Sequence, residues 1–210
     1  MNIPEHPIFL ESVKYIRSKL GVTGLDQVQQ SILERIIHSS GDFSLRSSVR
    51  FSSRACEDAI NALQNGAKIL TDTYMAEAAI SPMAKRTLNS DVQCILGVAP
   101  TSMDSTLSTR SAIGMRNIWL DYEGKDKLLN APLVVIGSAP TALISLLDLV
   151  DAGYKTPSLI IGMPVGFIGV SESKIRLLNS ECQYIVLEGS KGGASVAAAA
   201  TNALLRAAEN

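Results

Sequence analysis

The stretch that decides the fold is Leu133-Val134-Val135-Ile136-Gly137-Ser138-Ala139-Pro140-Thr141-Ala142. Its first four residues are apolar without alternation, which predicts a strand buried on both faces. The residues that follow are small or polar and lead into a helical pattern, so they predict a tight turn and the start of a helix. A buried strand followed by a turn and a helix is the repeating unit of an α/β fold.

The same succession of short apolar runs and helical patterns recurs on both sides of this stretch. Buried strands are predicted at 67–70, 92–96, 133–136, 159–163 and 184–187. Helices are predicted near 55–65, 75–89, 141–152, 172–178 and 194–208. Because a strand wet on one face would alternate polar and apolar residues, these strands indicate a parallel sheet covered on both faces. The predicted fold is a doubly wound α/β sheet in three layers.

The segment before residue 55 has a different pattern, with two helices and one short strand. The first helix has an apolar side and ends at Gly21, and the second, at about 25–38, has an apolar stripe and ends before Gly41. A short strand is predicted near 49–51. We therefore expect a single domain over 1–210, with a helical extension at 1–54 packed on an α/β core at 55–210.

Composition narrows the function classes. The 210 residues are 46 % hydrophobic, enough for one large core, and 19 Lys and Arg stand against 20 Asp and Glu. A net charge of −1 provides no field that would draw the whole protein to nucleic acid or to an anionic membrane. The three cysteines and two histidines are too far apart in the sequence to indicate a metal site. With neither a signal-like start nor an apolar run of about 18 residues, we expect a cytoplasmic protein with reduced thiols.

The loops that follow the predicted strands are rich in Gly, Ser and Thr. In an open parallel sheet the ligand crevice lies beyond the carboxyl ends of the strands, so these loops are candidate binding segments. They are 71–75, 137–142, 162–167 and 189–195. Backbone N–H groups at helix starts attract anions, but the glycine spacing matches neither the dinucleotide-binding nor the P-loop pattern. Each loop alone is also compatible with an ordinary turn.

His38 and Arg35 lie on the second predicted helix, on the side opposite its apolar stripe, together with Ser31 and Glu34. His38 falls in the last turn, where the helix dipole favours the protonated imidazole, an arrangement suited to a general acid. Arg35 lies one turn earlier, within reach of the same ligand. The alternative interpretation of His38 is a solvated histidine at a helix end.

Other polar residues are weaker candidates when taken one at a time. Ser12 lies at the edge of the first helix's apolar face, where its hydroxyl meets a ligand or bonds back to its own helix. Arg110 and Arg116 flank a segment with few other charges, and Lys174 follows Glu172 and Ser173. Each of these three basic residues is compatible with an ordinary surface charge.

Taken in order, these segments resemble the precorrin-8X methylmutase family, which includes the cobalt-precorrin-8 methylmutases of vitamin B12 corrin-ring synthesis. The most specific matches are Gly137-Ser138-Ala139-Pro140-Thr141-Ala142-Leu143, Gly162-Met163-Pro164-Val165-Gly166-Phe167, Glu172-Ser173-Lys174, and Lys191-Gly192-Gly193 leading to Asn202-Ala203-Leu204. The resemblance implies an isomerase that moves a methyl group from carbon 11 to carbon 12 of the tetrapyrrole without an organic cofactor. It also implies a flavodoxin-like sheet and a homodimer with sites near the subunit interface.

The resemblance also assigns roles to individual residues. It places the catalytic histidine, as general acid, at His38. It implies substrate contacts from Ser12, Arg35, Arg110, Thr71, Gly137, Thr141, Gly166, Lys191 and Gly192. It implies no metal ligands. Ser138 and Ser190 depart from the family pattern, which usually has an Asn and a basic residue at these two positions.

This function agrees with the chemistry of the candidate residues. A methyl shift within a conjugated ring needs only protonation that makes the π-system electron-poor and a pocket that favours the rearranged geometry. The expected partners are the tetrapyrrole substrate, a second copy of the chain and, when product is handed over, the next enzyme of the pathway, with neither nucleic acid nor membrane among them. Two other hypotheses stay open: a corrinoid carrier without turnover, and an α/β enzyme acting on a phosphorylated small molecule.

Overall fold

A computed structural model describes residues 6–101, 108–125 and 131–209 of the chain. Within these ranges the strands are β1 (Val49–Phe51), β2 (Ile69–Thr71), β3 (Val92–Cys94), β4 (Leu133–Ile136), β5 (Leu159–Gly162) and β6 (Tyr184–Leu187). The helices are α1 (Pro7–Leu20), α2 (Gln27–Ser40), α3 (Ala55–Gln64), α4 (Tyr74–Arg86), α5 (Arg110–Lys125), α6 (Pro140–Asp151), α7 (Val170–Leu178) and α8 (Ala194–Glu209).

These strands form one sheet in the order β1-β6-β5-β4-β2-β3. The strands β2 to β6 pair in parallel, and β1 joins the edge of β6 in the antiparallel direction. Without β1, the strand order is that of a flavodoxin-like sheet, and the order reverses between β2 and β4. The predicted doubly wound, mainly parallel sheet is therefore confirmed.

The central strands β2, β4 and β5 are buried along their whole length, as the continuous apolar runs predict, whereas the edge strands β1 and β3 are only partly buried. In β4, Leu133 and Val135 pack in a cluster with α2, α3, α4 and α8, whereas Val134 and Ile136 pack in a second cluster with α5 and α6. Helix α8 lies at the centre of its layer and contacts α2, α3 and α4. The two helical layers and the sheet give the three predicted layers.

Helix α5 is the main element that the sequence pattern did not predict. Its buried residues Met115, Ile118 and Trp119 have helical spacing, but they span only five residues, and the glycine directly before them lowers helix propensity. A Cβ atom at Gly114 would lie 2.5 Å from the carbonyl oxygen of Ile95. This glycine therefore allows α5 to approach the 3₁₀ turn that follows β3, a tertiary requirement that a single sequence does not show.

Helix α2 is part of the hydrophobic core, because its apolar stripe packs in the same cluster as α8. Glu34, which the helical pattern placed on the polar side, is instead only 2 % exposed. Arg17 of α1 donates to its carboxylate from Nε at 2.7 Å and from Nη2 at 3.0 Å, and Gln30 donates to it at 2.9 Å. Helix α1 covers this side of α2, and the predicted exposure of Glu34 is therefore wrong.

Candidate active site

The end of α2 reaches the carboxyl edge of the sheet. The hydroxyl of Ser39 donates to the carbonyl oxygen of Ser195, in the first turn of α8, at 3.3 Å. His38 precedes this contact in the last turn of α2 and is exposed. The histidine predicted from helical periodicity therefore stands beside the edge where an open parallel sheet binds its ligands.

A cavity of about 470 Å³ opens between α1 and α2 next to this histidine. Its walls are formed by Glu11, Ser12, Tyr15, Ile16, Ile37, His38, Gly41 and Phe43. Phe9 of α1 contacts His38 edge-on, with 5.0 Å between the ring centres, and the guanidinium of Arg35 lies 4.6 Å from the centre of the same phenyl ring. The structure thus brings Ser12, Arg35 and His38 together around the first turns of α1.

Ser12 donates its hydroxyl hydrogen to the carbonyl oxygen of Ile8 at 2.9 Å, the back-bond that is common for a serine within a helix. Its oxygen can still accept a hydrogen bond, since a hydroxyl has two lone pairs. Ser12 therefore lines the cavity as an acceptor for a donor group of a ligand.

Lys191 reaches from the loop after β6 to the loop after α2. Its ammonium group donates to Oδ2 of Asp42 at 2.6 Å and to Oγ of Ser44 at 2.8 Å. The hydrogen bond from Lys191 is the main reason why the pKa of Asp42 is lowered to about 2, with Ser44 adding to the effect. A substrate carboxylate at Lys191 therefore has to compete with Asp42 or share the ammonium group with it.

The loops after β5 and β6 are hydrogen-bonded to each other. Gly166 donates its N–H to the carbonyl oxygen of Ser190 at 3.1 Å, and Gly193 donates to that of Met163 at 2.9 Å. A Cβ atom at Gly192 would lie 2.1 Å from the same Met163 oxygen, so only glycine fits there. These two hydrogen-bonded loops therefore contain three of the predicted contact residues: Gly166, Lys191 and Gly192.

Where the strand order reverses, the backbone N–H groups of the turn after β4 are bonded by a side chain of the protein itself. The carboxylate of Asp72, which follows β2, accepts N–H groups from Gly137 at 3.1 Å, Ser138 at 2.6 Å and Ala139 at 2.7 Å. Burial raises the pKa of Asp72, and the three N–H groups oppose that rise. The expectation that this turn offers open N–H groups to an anionic ligand is thus corrected at three of its residues.

The remaining predicted contacts lie elsewhere on the same edge. Thr71 is buried and donates its hydroxyl hydrogen to the carbonyl oxygen of Thr73 at 3.1 Å. The hydroxyl of Thr141, in the first turn of α6, lies 2.7 Å from that of Thr109, which precedes α5. Arg110, the first residue of α5, is exposed and donates from Nε to Pro100 at 3.1 Å. Thr141 and Arg110 thus belong to a second group, at the starts of α5 and α6.

Comparison with known proteins identifies the family of this chain. The family model for precorrin-8X methylmutase matches residues 7–207. The chain belongs to this family. It is 35 % identical to a cobalt-precorrin-8 methylmutase of Synechocystis over 96 % of this chain and 95 % of that protein. It is also 35 % identical to a precorrin-8X methylmutase of Pseudomonas aeruginosa over 94 % and 93 % of the two chains.

Solved structures of the precorrin-8X methylmutase family share the fold. The structure of a precorrin-8x methyl mutase from Thermus thermophilus superposes with a TM-score of 0.84 at 32 % identity, covering 96 % of this chain and 95 % of that one. A precorrin-8X methylmutase related protein superposes with a TM-score of 0.79 at 29 % identity. Residues from the first helix to the last therefore follow the architecture of the family.

Lys174 is not the surface charge that its sequence context suggested. The residue is 1 % exposed, and its ammonium group donates at 2.7 Å to each of the carbonyl oxygens of Gly189 and Lys191. Burial lowers the pKa of Lys174 to about 8. The sequence signal that could have located it is its position on the buried side of α7, four residues after Val170 and three before Leu177.

In the described part of the chain, no three His, Cys, Asp or Glu side chains are grouped so as to hold a metal ion. Cys56, Cys94 and Cys182 are free and buried, and burial raises the pKa of each thiol, that of Cys56 to about 12. Across the same described ranges, every helix is too short or too polar to span a bilayer.

Proposed function

We propose that this protein is an isomerase of corrin-ring synthesis that moves a methyl group from carbon 11 to carbon 12 of precorrin-8 or cobalt-precorrin-8. The relatives named for each of the two substrates support both forms as candidates. The structural observation that carries the proposal is the α1–α2 cavity, which is lined by His38 and Ser12 and adjoined by Arg35 through Phe9.

His38 acts as the general acid in this proposal. Its imidazolium donates a proton to a ring nitrogen of the macrocycle, the electron-poor π-system lets the methyl group migrate between adjacent carbons, and the nitrogen returns the proton to the imidazole. Substrate and product have the same atoms and electrons, so the step needs neither a nucleophile nor an oxidant. The position of His38 in the last turn of α2 supports this role, because the carbonyl end of a helix stabilises a cation.

Substrate carboxylates are shared among several groups. Arg35 and Ser12 serve the side of the cavity that faces α1, and Lys191 serves the gap between the loops after α2 and β6. Arg110 and Thr141 serve a more distant carboxylate, at the starts of α5 and α6. Phe9 offers its ring as an apolar surface beside His38.

The active form is a homodimer in this proposal. Large apolar side chains on the loop between β5 and α7 support it: Phe167 is 90 % exposed and Ile168 is 89 % exposed. Exposed apolar residues grouped on one loop are typical of an interaction surface. Phe167 follows Gly166 directly in this loop, so a second copy covering Phe167 and Ile168 lies next to the substrate loops. Buried free cysteines support a reducing location such as the cytoplasm.

The deciding experiment incubates the protein separately with metal-free and cobalt-containing precorrin-8 and follows the visible spectrum of the corrinoid. Conversion of one or both to the methyl-shifted product supports the proposal and identifies the substrate. Tight binding with an unchanged spectrum would instead identify a carrier. Protection of the protein by inorganic phosphate against heat, without corrinoid binding, would point to the phosphorylated-ligand enzyme.

A further inference from the structure

Lys174 is a buried cation that the proposed mechanism does not use. Its two acceptors, the carbonyl oxygens of Gly189 and Lys191, are uncharged. Taking an ammonium group out of water without a carboxylate partner costs free energy, which hydrogen bonds to two neutral carbonyl groups offset only in part. The lowered pKa of Lys174 reflects the same cost. Stability of the fold alone therefore does not account for a lysine at this position.

The two carbonyl groups that Lys174 binds stand on either side of Ser190. The carbonyl oxygen of Ser190 accepts a hydrogen bond from the N–H of Gly166, in the loop after β5, at 3.1 Å. The main chain at 189–191 is thus held by α7 at two points and by the loop after β5 at one. With three consecutive carbonyl groups fixed, the direction in which the Lys191 side chain leaves the loop is fixed as well.

Lys191 connects this loop to the segment that borders the α1–α2 cavity, in which Gly41 and Phe43 line the wall. Its side chain crosses to Asp42 and Ser44, in the segment that directly follows α2 and His38. The contacts therefore form one continuous series: the ammonium group of Lys174, the main chain at 189–191, the ammonium group of Lys191 and the loop after α2.

We propose that Lys174 is a positioning residue: its ammonium group holds the main chain at Gly189 and Lys191, so that the Lys191 side chain stands between the loops after β6 and α2, where it meets a substrate carboxylate. The part concerning the substrate rests on the proposed methylmutase function. The part concerning the loops stands on the contacts alone, and the two parts are tested by separate measurements.

The first measurement is amide hydrogen exchange on the full chain with Lys174→Met. We expect exchange roughly tenfold or more faster in 189–195 and in 41–46, with α3 unchanged, because both segments lose a fixed partner. Lys68→Met is the matched control, since it removes an exposed lysine whose contact is a surface pair with Asp91. Exchange at the wild-type rate in both segments would overturn the proposal. If Lys174→Met does not fold, Lys174→Gln, which can donate to one of the carbonyl groups, replaces it.

The second measurement is a double-mutant cycle on turnover. Lys191→Met and Lys174→Met should each raise KM by about tenfold and change kcat by less than about threefold, because a charge-assisted contact to substrate is lost while His38 stays in place. The double variant should match Lys191→Met alone, since Lys174 acts through Lys191. The inferred role would be refuted if the KM increases of the two single variants multiplied in the double variant. A fall in kcat with unchanged KM in Lys174→Met would refute it as well. Absence of turnover in the wild type would refute the methylmutase function and leave hydrogen exchange to decide the positioning.

Discussion

At the scale of single residues, His38 owes its proposed role to its place at the end of α2. Replacing it in His38→Ala should leave the fold intact, because the side chain is exposed and the stripe that packs on α8 is unchanged. Turnover should fall by about 10²–10⁴-fold, the range for loss of a general acid, whereas affinity for the product changes little. Single-turnover kinetics and product titration measure the two quantities separately.

The second histidine of the chain provides the control for that experiment. His6 caps α1 by accepting the N–H of Ile8 at its Nδ1 atom, and His6→Ser supplies a hydroxyl oxygen as the cap acceptor instead. This variant should keep wild-type turnover. A folded His38→Ala protein with wild-type turnover would exclude acid catalysis by this residue and favour a rearrangement promoted by the shape of the pocket.

Asp72 illustrates a residue whose effect is on stability. The variant Asp72→Asn places an amide NH₂ group against three backbone N–H donors and leaves at least one of them without an acceptor. We expect the free energy of unfolding at neutral pH to fall by about 1–3 kcal/mol, the cost of an unpaired buried donor. Urea denaturation measures this loss, and Asp91→Asn, on an exposed carboxylate, should change it by less than about 0.5 kcal/mol. Equal losses in the two variants would contradict the assigned contacts.

At the scale of elements, the sequence predicts what depends on local pattern and misses what depends on contact. The apolar runs and the stripe of α2 predict the strands and the exposed position of His38, because burial imposes a regular period. The burial of Glu34 depends on Arg17, seventeen residues away, and the course of α5 depends on Gly114 meeting Ile95. The glycine-rich turn after β4 predicts N–H groups at a helix start, but not that Asp72 occupies them.

The link between the loops after α2 and β6 leads to a prediction about pH. The pKa of Asp42 is lowered in the folded protein to about 2, so its pairing with Lys191 stabilises the fold above the ordinary carboxyl pKa and loses this effect as the pH falls through about 2. The difference in unfolding free energy between wild type and Asp42→Asn should therefore be constant from about pH 7 to 5 and decrease progressively below pH 5 toward pH 2.

Urea denaturation at a series of pH values tests this dependence. Glu181→Gln is the control, because this exposed carboxylate precedes β6 and lies toward the other edge of the sheet. A difference between wild type and Asp42→Asn that stays the same from pH 5 to pH 2 would show that the Asp42–Lys191 pair is not formed in solution, because an unpaired carboxylate has the same pKa in the folded and unfolded protein.

At the scale of the whole molecule, the strand order explains why residues far apart in sequence share one site. Parallel strands deliver their following loops to one edge, and α2 brings His38 to that edge although it precedes the parallel strands. The order itself could be inferred only through resemblance to a family, since strand patterns do not specify which strands are neighbours. The division of the predicted contacts into a group near His38 and a group at Thr141 and Arg110 became visible only in three dimensions.

The loop between β5 and α7 supplies the last prediction. If a second copy covers Phe167 and Ile168, Phe167→Asp places a charge in an apolar interface, and desolvating that charge opposes association. Sedimentation should show wild type at twice the mass of one chain and Phe167→Asp at the mass of one. Val22→Asp is the matched control: Val22 is 93 % exposed and lies on a different surface loop, between α1 and α2, and this variant should remain dimeric. A wild type that sediments as a single chain at micromolar concentration would refute the dimer, and loss of turnover in a monomeric Phe167→Asp protein would place the interface next to the active site.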